Sequence, residues 1–143
     1  MFVNLALGTL VISMTVVIHT FGLIWVTHAM NWLTDKFRAN GRRSRMLAMN
    51  TVVVGIFAVL TVEVWLWAVF YYVLNVFGDF ETALYFSTTT FSTVGYGDLV
   101  TSEQWRILAG LESVNGFLLI GWSTAYLVAA SMRVGPFKAG EHF

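Results

Sequence analysis

The segment Thr93-Val94-Gly95-Tyr96-Gly97-Asp98 is where residue types and spacing in this 143-residue chain point to chemistry. Glycine takes positive φ at almost no steric cost. Gly95 and Gly97 therefore allow the backbone to alternate between right- and left-handed dihedrals, which turns successive carbonyl oxygens to one side. A row of neutral backbone oxygens can replace the water around a dehydrated monovalent cation without adding a charge that would trap it. Thr93 can add its hydroxyl oxygen to the innermost site. The side chains of Val94 and Tyr96 are expected to point away from that row and brace it. One chain supplies one strand of such a cage.

The elements that must hold this strand follow from composition. The chain is 57% hydrophobic and 11% charged, against ~25% charged in an ordinary soluble domain, and its mean hydropathy is +0.72. That leaves too little polar surface to wrap a globule in water. Eight Lys and Arg balance eight Asp and Glu, so no basic excess exists to bind nucleic acid. Zero cysteines exclude disulfides, thiolate metal sites and Cys nucleophiles. The class that remains is an all-α integral membrane protein.

Residues 1–34 hold no Asp, Glu, Lys or Arg, while 46–78 hold only Glu63 and 107–132 only Glu112. Each stretch exceeds the ~20 apolar residues a spanning helix needs, and in lipid the backbone must bond to itself as helix. The first lacks the basic start and short apolar core of a secretory signal. Lys36, Arg38, Arg42, Arg43 and Arg45 lie between the first two spans, and Arg133 and Lys138 follow the third. The positive-inside rule places both regions in the cytoplasm and the N-terminus outside. Between spans two and three, the apolar run Phe80 to Ser92 is roughly 20 Å long as a helix, too short to cross. Asp79 suits its N-cap and Glu81 its first turn. A short capped helix followed by a glycine-rich stretch reads as a re-entrant segment.

Thr93 to Gly97 resembles the selectivity-filter signature of potassium channels at all five residues. Ala83 to Ser92 is similar to a channel pore helix. Residues 51–131 resemble the outer helix, pore loop and inner helix of small bacterial channels of the two-transmembrane type. The charge distribution sets an N-terminal span over 1–34, additional to that minimal module, and a basic cytoplasmic connection over 35–50, while the resemblance implies a pore unit over 51–131. That unit divides into an outer helix at 51–77, a pore helix at 80–92, a filter at 93–97 and an inner helix at 105–131; a cytoplasmic tail covers 132–143. It also implies a multi-pass cell-membrane protein forming a homotetramer, with oxygens of Thr93, Val94, Gly95 and Tyr96 coordinating transported K+ and no organic cofactor. Gly97, Asp98, Tyr85, Phe86 and Thr89 would support the filter, Tyr85 and Phe86 walling Tyr96 and Tyr85 hydrogen bonding to Asp98. Thr89 stands where some members carry a glutamate that takes part in slow filter closure.

In the third span, Gly116 falls within a residue of the family's hinge position, though glycine equally permits close helix packing. Phe117, Ile120, Thr124 and Val128 follow at helical spacing and would line the axis as a gate. Registering Leu5 against Phe77 on antiparallel helices sets His19 opposite Glu63, a pair that is either structural or proton-sensing. Glu112 is expected to bond behind the pore helix, where a threonine hydroxyl is one candidate and the sequence does not name the partner. Arg42, Arg43 and Arg45 either set topology or contact anionic lipid headgroups. Asp79, Glu81, Asp98 and Glu103 outweigh Arg106 at the outer mouth, which concentrates cations there.

No span carries the arginine periodicity of a voltage sensor, and the roughly twelve residues after the inner helix are expected to be too few for a nucleotide- or calcium-binding regulatory domain. No catalytic constellation of an enzyme is present. The reading is a passive potassium-selective channel subunit. Its rivals are a non-conducting sensor or accessory subunit of the same shape and a potassium-transporter component, whose pore units usually keep a single filter glycine.

Overall fold

The computed structural model describes residues 1–36 and 42–134. It contains four α-helices: α1 (Phe2–Lys36), α2 (Arg42–Val73), α3 (Phe80–Phe91) and α4 (Arg106–Val134), with a 3-10 turn at Glu103–Trp105 leading into α4. Three of them, α1, α2 and α4, are long and apolar enough to cross a membrane. At 35 residues, α1 is about 50 Å long and exceeds the hydrocarbon thickness. The Arg38 and Lys138 positions and the tail from 135 onward lie outside the described residues, as do the side chains of Arg42 and Arg43.

Helix ends differ from the sequence expectation at α2. It starts at Arg42, so residues 42–50 of the expected connection are its first turns. It stops at Val73 rather than Phe77 because Asn75 adopts φ 52. The Asn75 N–H bonds to the Tyr72 carbonyl and the Val76 N–H to the Tyr71 carbonyl, both at 3.0 Å. This is a Schellman cap, and asparagine is one of the few side chains that tolerates its left-handed position. α3 starts where Asp79, in extended conformation, accepts the Thr82 N–H at 2.8 Å and the Thr82 hydroxyl at 2.7 Å. Those two donors hold the Asp79 carboxyl below the usual carboxylate range.

α1 runs parallel to α4 and antiparallel to α2. Its buried face is a stripe at helical spacing: Asn4, Gly8, Val11, Thr15, His19 and Leu23, continuing to Val26 and Met30. Polar contacts tie this stripe to α4 and to the turn before it. The Asn4 side-chain amide donates to the Gln104 carbonyl. Asn115 Nδ2 donates to Thr15 Oγ1 at 2.9 Å, and the Thr27 and Tyr126 hydroxyls meet at 2.7 Å. Two apolar clusters fill the bundle. Trp67, Tyr71, Phe86, Phe91, Leu108 and Leu119 form the first, around α3. Leu23, Met30, Val52, Ile56 and Ala130 belong to the second, toward the other end of the long helices.

Small residues set the α1–α2 spacing. A Cβ at Gly22 would lie 2.5 Å from Val59 Cγ2, and one at Gly55 would lie 2.6 Å from Val26 Cγ2. Valine is stiff at χ1 and cannot swing aside. Gly22→Ala and Gly55→Ala should therefore each cost about 1–3 kcal/mol through overpacking. Gly78→Ala, which meets no atom within 4 Å, should stay within about 0.5 kcal/mol of wild type. Thermal unfolding in detergent, followed by circular dichroism, measures all three. Unchanged melting of both helix variants would contradict the close contact.

Candidate functional site

The site grows from the end of α3. Ser92 caps the helix, and the next residues leave it without breaking contact. The Thr93 N–H bonds to the Thr90 carbonyl and the Gly95 N–H to the Thr89 carbonyl, each at 3.0 Å. Thr89 thus supports this stretch through its backbone, while its hydroxyl turns back to the Phe86 carbonyl. The dihedrals alternate in hand: φ is 62° at Thr93, 51° at Gly95 and 75° at Gly97. The two glycines take this geometry without penalty. Thr93 does not, since a left-handed β-branched residue costs roughly 1–2 kcal/mol, and composition alone gave no sign of it.

From Thr93 to Asp98 the segment is exposed, including the side chains of Val94 and Tyr96. Among the described residues of one chain, nothing encloses those two side chains. Tyr85 donates to Asp98 Oδ2 at 2.7 Å across the segment, and this bond raises the Tyr85 hydroxyl above its usual range. Phe86 does not stand beside Tyr85 as a second wall. Adjacent helical residues point about 100° apart, and Phe86 is buried with ring centroids 5.3 Å from Tyr71 and 4.9 Å from Phe77.

α4 fixes where α3 ends. Gly116 lies against Phe91, and a Cβ there would come within 2.7 Å of the Phe91 carbonyl carbon and 2.9 Å of its Cα, closer still to its oxygen. These are backbone atoms, so the packing role of Gly116 is visible in the structure. Of the residues expected to share an axial stripe, Phe117, Thr124 and Val128 are exposed together on one face of α4. Ile120 departs from them. It is half-buried against the cluster around α3, because three residues turn a helix by 300° and leave it 60° short of the stripe.

The three ionisable residues expected within the membrane, His19, Glu63 and Glu112, are all buried. His19 Nδ1 and Glu63 Oε1 lie 2.9 Å apart with both side chains fully buried. The His19 ring packs on Trp122 at 5.0 Å. Glu112 meets hydroxyls from two helices: Tyr71 donates to Oε2 at 2.7 Å, and Ser87 Oγ lies 2.6 Å from Oε1. No threonine takes that place, because Thr88 and Thr89 bond to carbonyls of their own helix. Tyr71 and Ser87 were missed from sequence. Ser87 follows small Ala83 by one turn on the buried face of α3, which is the signal that was available. Arg45 is exposed on the first turns of α2.

A family model described as an ion channel matches residues 57–133, more than half of the chain. The chain belongs to this ion channel family. It is the two-transmembrane family that includes potassium-channel pore domains. No curated protein and no solved structure matches the chain. The match begins within α2 and ends within α4, so α1 lies outside it. Family membership and three apolar helices make this ion channel chain an integral membrane protein.

The Gly116 contact separates the three glycines of α4. Gly116→Ala must displace α3 from α4 and should cost about 1–3 kcal/mol or more. Gly121→Ala meets nothing within 4 Å and should be neutral or gain up to about 1 kcal/mol from helix propensity. Unfolding in detergent tells them apart, and equal stabilities would refute the contact.

Proposed function

We propose that this ion channel chain is one subunit of a homotetrameric, potassium-selective channel that conducts passively down the electrochemical gradient. α2 is then the outer helix, α3 the pore helix, Thr93–Gly97 the filter strand and α4 the inner helix. The observation that carries the reading is the left-handed backbone at Thr93, Gly95 and Gly97, alternating with Val94 and Tyr96. In that alternation, successive carbonyls turn toward a common line, where oxygens of Thr93, Val94, Gly95 and Tyr96 from four copies would replace the ion's water. The exposure of Val94 and Tyr96 supports the assembly, since neighbouring subunits would supply the wall one chain lacks. Phe117, Thr124 and Val128, exposed on one face of α4, would line the pathway beyond the filter, and an apolar ring at Val128 would close it by dewetting.

The basic residues at the ends of α1, α2 and α4 orient the subunit with its N-terminus outside and its C-terminus in the cytoplasm. Asp79, Glu81 and Asp98 then sit at the outer mouth, where their charge raises local cation concentration. At the opposite end, Arg42, Arg43 and Arg45 would meet anionic headgroups.

Purified protein in liposomes should pass potassium, exclude sodium and be blocked by barium. Gly95→Ala puts a Cβ on a left-handed residue at roughly 1–2 kcal/mol per subunit and should abolish selective flux. Native mass should correspond to four chains. Sodium passing as readily as potassium, or a monomeric mass, would overturn the proposal.

A further inference from the structure

Glu112 is fully buried where α4 meets α2 and α3. Three oxygen–oxygen contacts converge on it and on Ser87. Tyr71 Oη is 2.7 Å from Glu112 Oε2, Ser87 Oγ is 2.6 Å from Glu112 Oε1, and Ser87 Oγ is also 2.9 Å from the Val64 carbonyl oxygen. A serine hydroxyl has one hydrogen, a tyrosine hydroxyl has one, and a carbonyl can only accept. With an ionised carboxylate, two hydrogens serve three contacts, and one pair of oxygens faces lone pair to lone pair. With one proton on Oε1, every contact has its hydrogen. Glu112 then donates to Ser87, Ser87 donates to Val64, and Tyr71 donates to Glu112 Oε2.

Charge gives the same answer independently. Among the described residues the ion pairs are His19–Glu63 and Arg106–Glu103, and neither includes Glu112. From α2 the titratable group facing it is Tyr71, a neutral donor. From α3 it is met by Ser87, while the acid of that helix, Glu81, is exposed in the first turn. α1 brings Gly8 to the neighbouring Leu111 and Leu108, and its buried histidine is bound to Glu63. A buried carboxylate without a cation is strongly disfavoured, because its lost hydration is not replaced.

We propose that Glu112 is a proton-binding site: a neutral carboxylic acid at pH 7 that ties α4 to both α2 and α3. The proposal concerns where a proton resides and does not depend on what passes through the pore. Loss of that proton would set a bare charge among three helices and leave one Ser87 contact without a hydrogen. The junction is therefore a point at which alkaline pH acts on the seat of α3.

Infrared spectra of the full-length protein in liposomes test this, taken at about pH 7, where a solvated glutamate is ionised. Wild type should show the carbonyl stretch of a protonated carboxylic acid that Glu112→Gln lacks. Ser87→Ala, which removes the acceptor, should move that band. Glutamine offers an N–H to Ser87 and an oxygen to Tyr71, so Glu112→Gln should melt as wild type does. Should that variant fail to fold, carbon-13-labelled glutamate in wild type and Ser87→Ala gives the same reading, because Ser87 does not bond to Glu63. Absence of an acid band, or one that Ser87→Ala leaves in place, overturns the proposal.

Discussion

Where α4 passes Phe91 at the end of α3, there is no room for a side chain, and Gly116 supplies none. The backbones of the two helices touch. That contact sets the height at which α3 stops, and the stop sets everything after it. Thr89 and Thr90, in the last turn, offer carbonyls to Gly95 and Thr93. The left-handed residues of the segment begin at Thr93, directly after that turn. The other end of the segment is tied by Tyr85 to Asp98, at 2.7 Å, so a stretch without regular structure is held at both ends by one short helix. Strain at Thr93 is tolerated because the hydrogen bonds on either side leave its backbone little choice.

Away from the segment, the bundle is organised by the requirement that buried polar groups find partners where water is scarce. α1 meets the rest of the chain through such groups. Asn4 reaches Gln104 and Thr15 reaches Asn115. On α1 the two partners stand eleven residues apart, three turns of an α-helix, and the same interval separates Gln104, in the turn before α4, from Asn115. Two rungs with one spacing fix the register of a parallel pair, much as a buried polar residue fixes a coiled coil. Apolar packing alone would leave that register loose, because lipid tails are as apolar as the side chains they compete with. The family match covers none of α1, yet α1 is locked to α4 at several levels and to α2 through His19 and Glu63.

Much of this was legible in the sequence, for physical reasons that differ by element. Spans are readable because a charge in lipid is costly and so rare, which makes the gaps between charges mark the helices. The N-cap at Asp79 is readable because a capping side chain acts locally, and it appears as expected from that residue type. The His19–Glu63 contact was reachable because antiparallel register needs only one anchor. The end of α2 was not, since an apolar run continues through Phe77 and only the left-handed turn at Asn75 stops the helix. Phe86 and Ile120 were misplaced for one reason: residues near each other in a motif were assigned a common direction, and helical rotation separates them. Tyr71 and Ser87 were out of reach because their meeting at Glu112 depends on three helices at once.

The two buried glutamates show how one constraint admits two answers. Glu63 faces an imidazole, a group able to carry a compensating positive charge. Glu112 faces hydroxyls, which can donate but cannot supply a compensating charge, so neutrality there requires a proton of its own. The difference follows from what each neighbouring helix presents. α1 brings His19 to the level of Glu63, whereas α3 presents Ser87, from its buried face, to Glu112. A cation in place of Ser87 would have to be buried beside the Phe86 and Phe91 packing that seats α3. A neutral acid among hydroxyls holds the same three helices together without bringing a net charge near the segment, where a fixed charge would alter the field along Thr93 to Gly97.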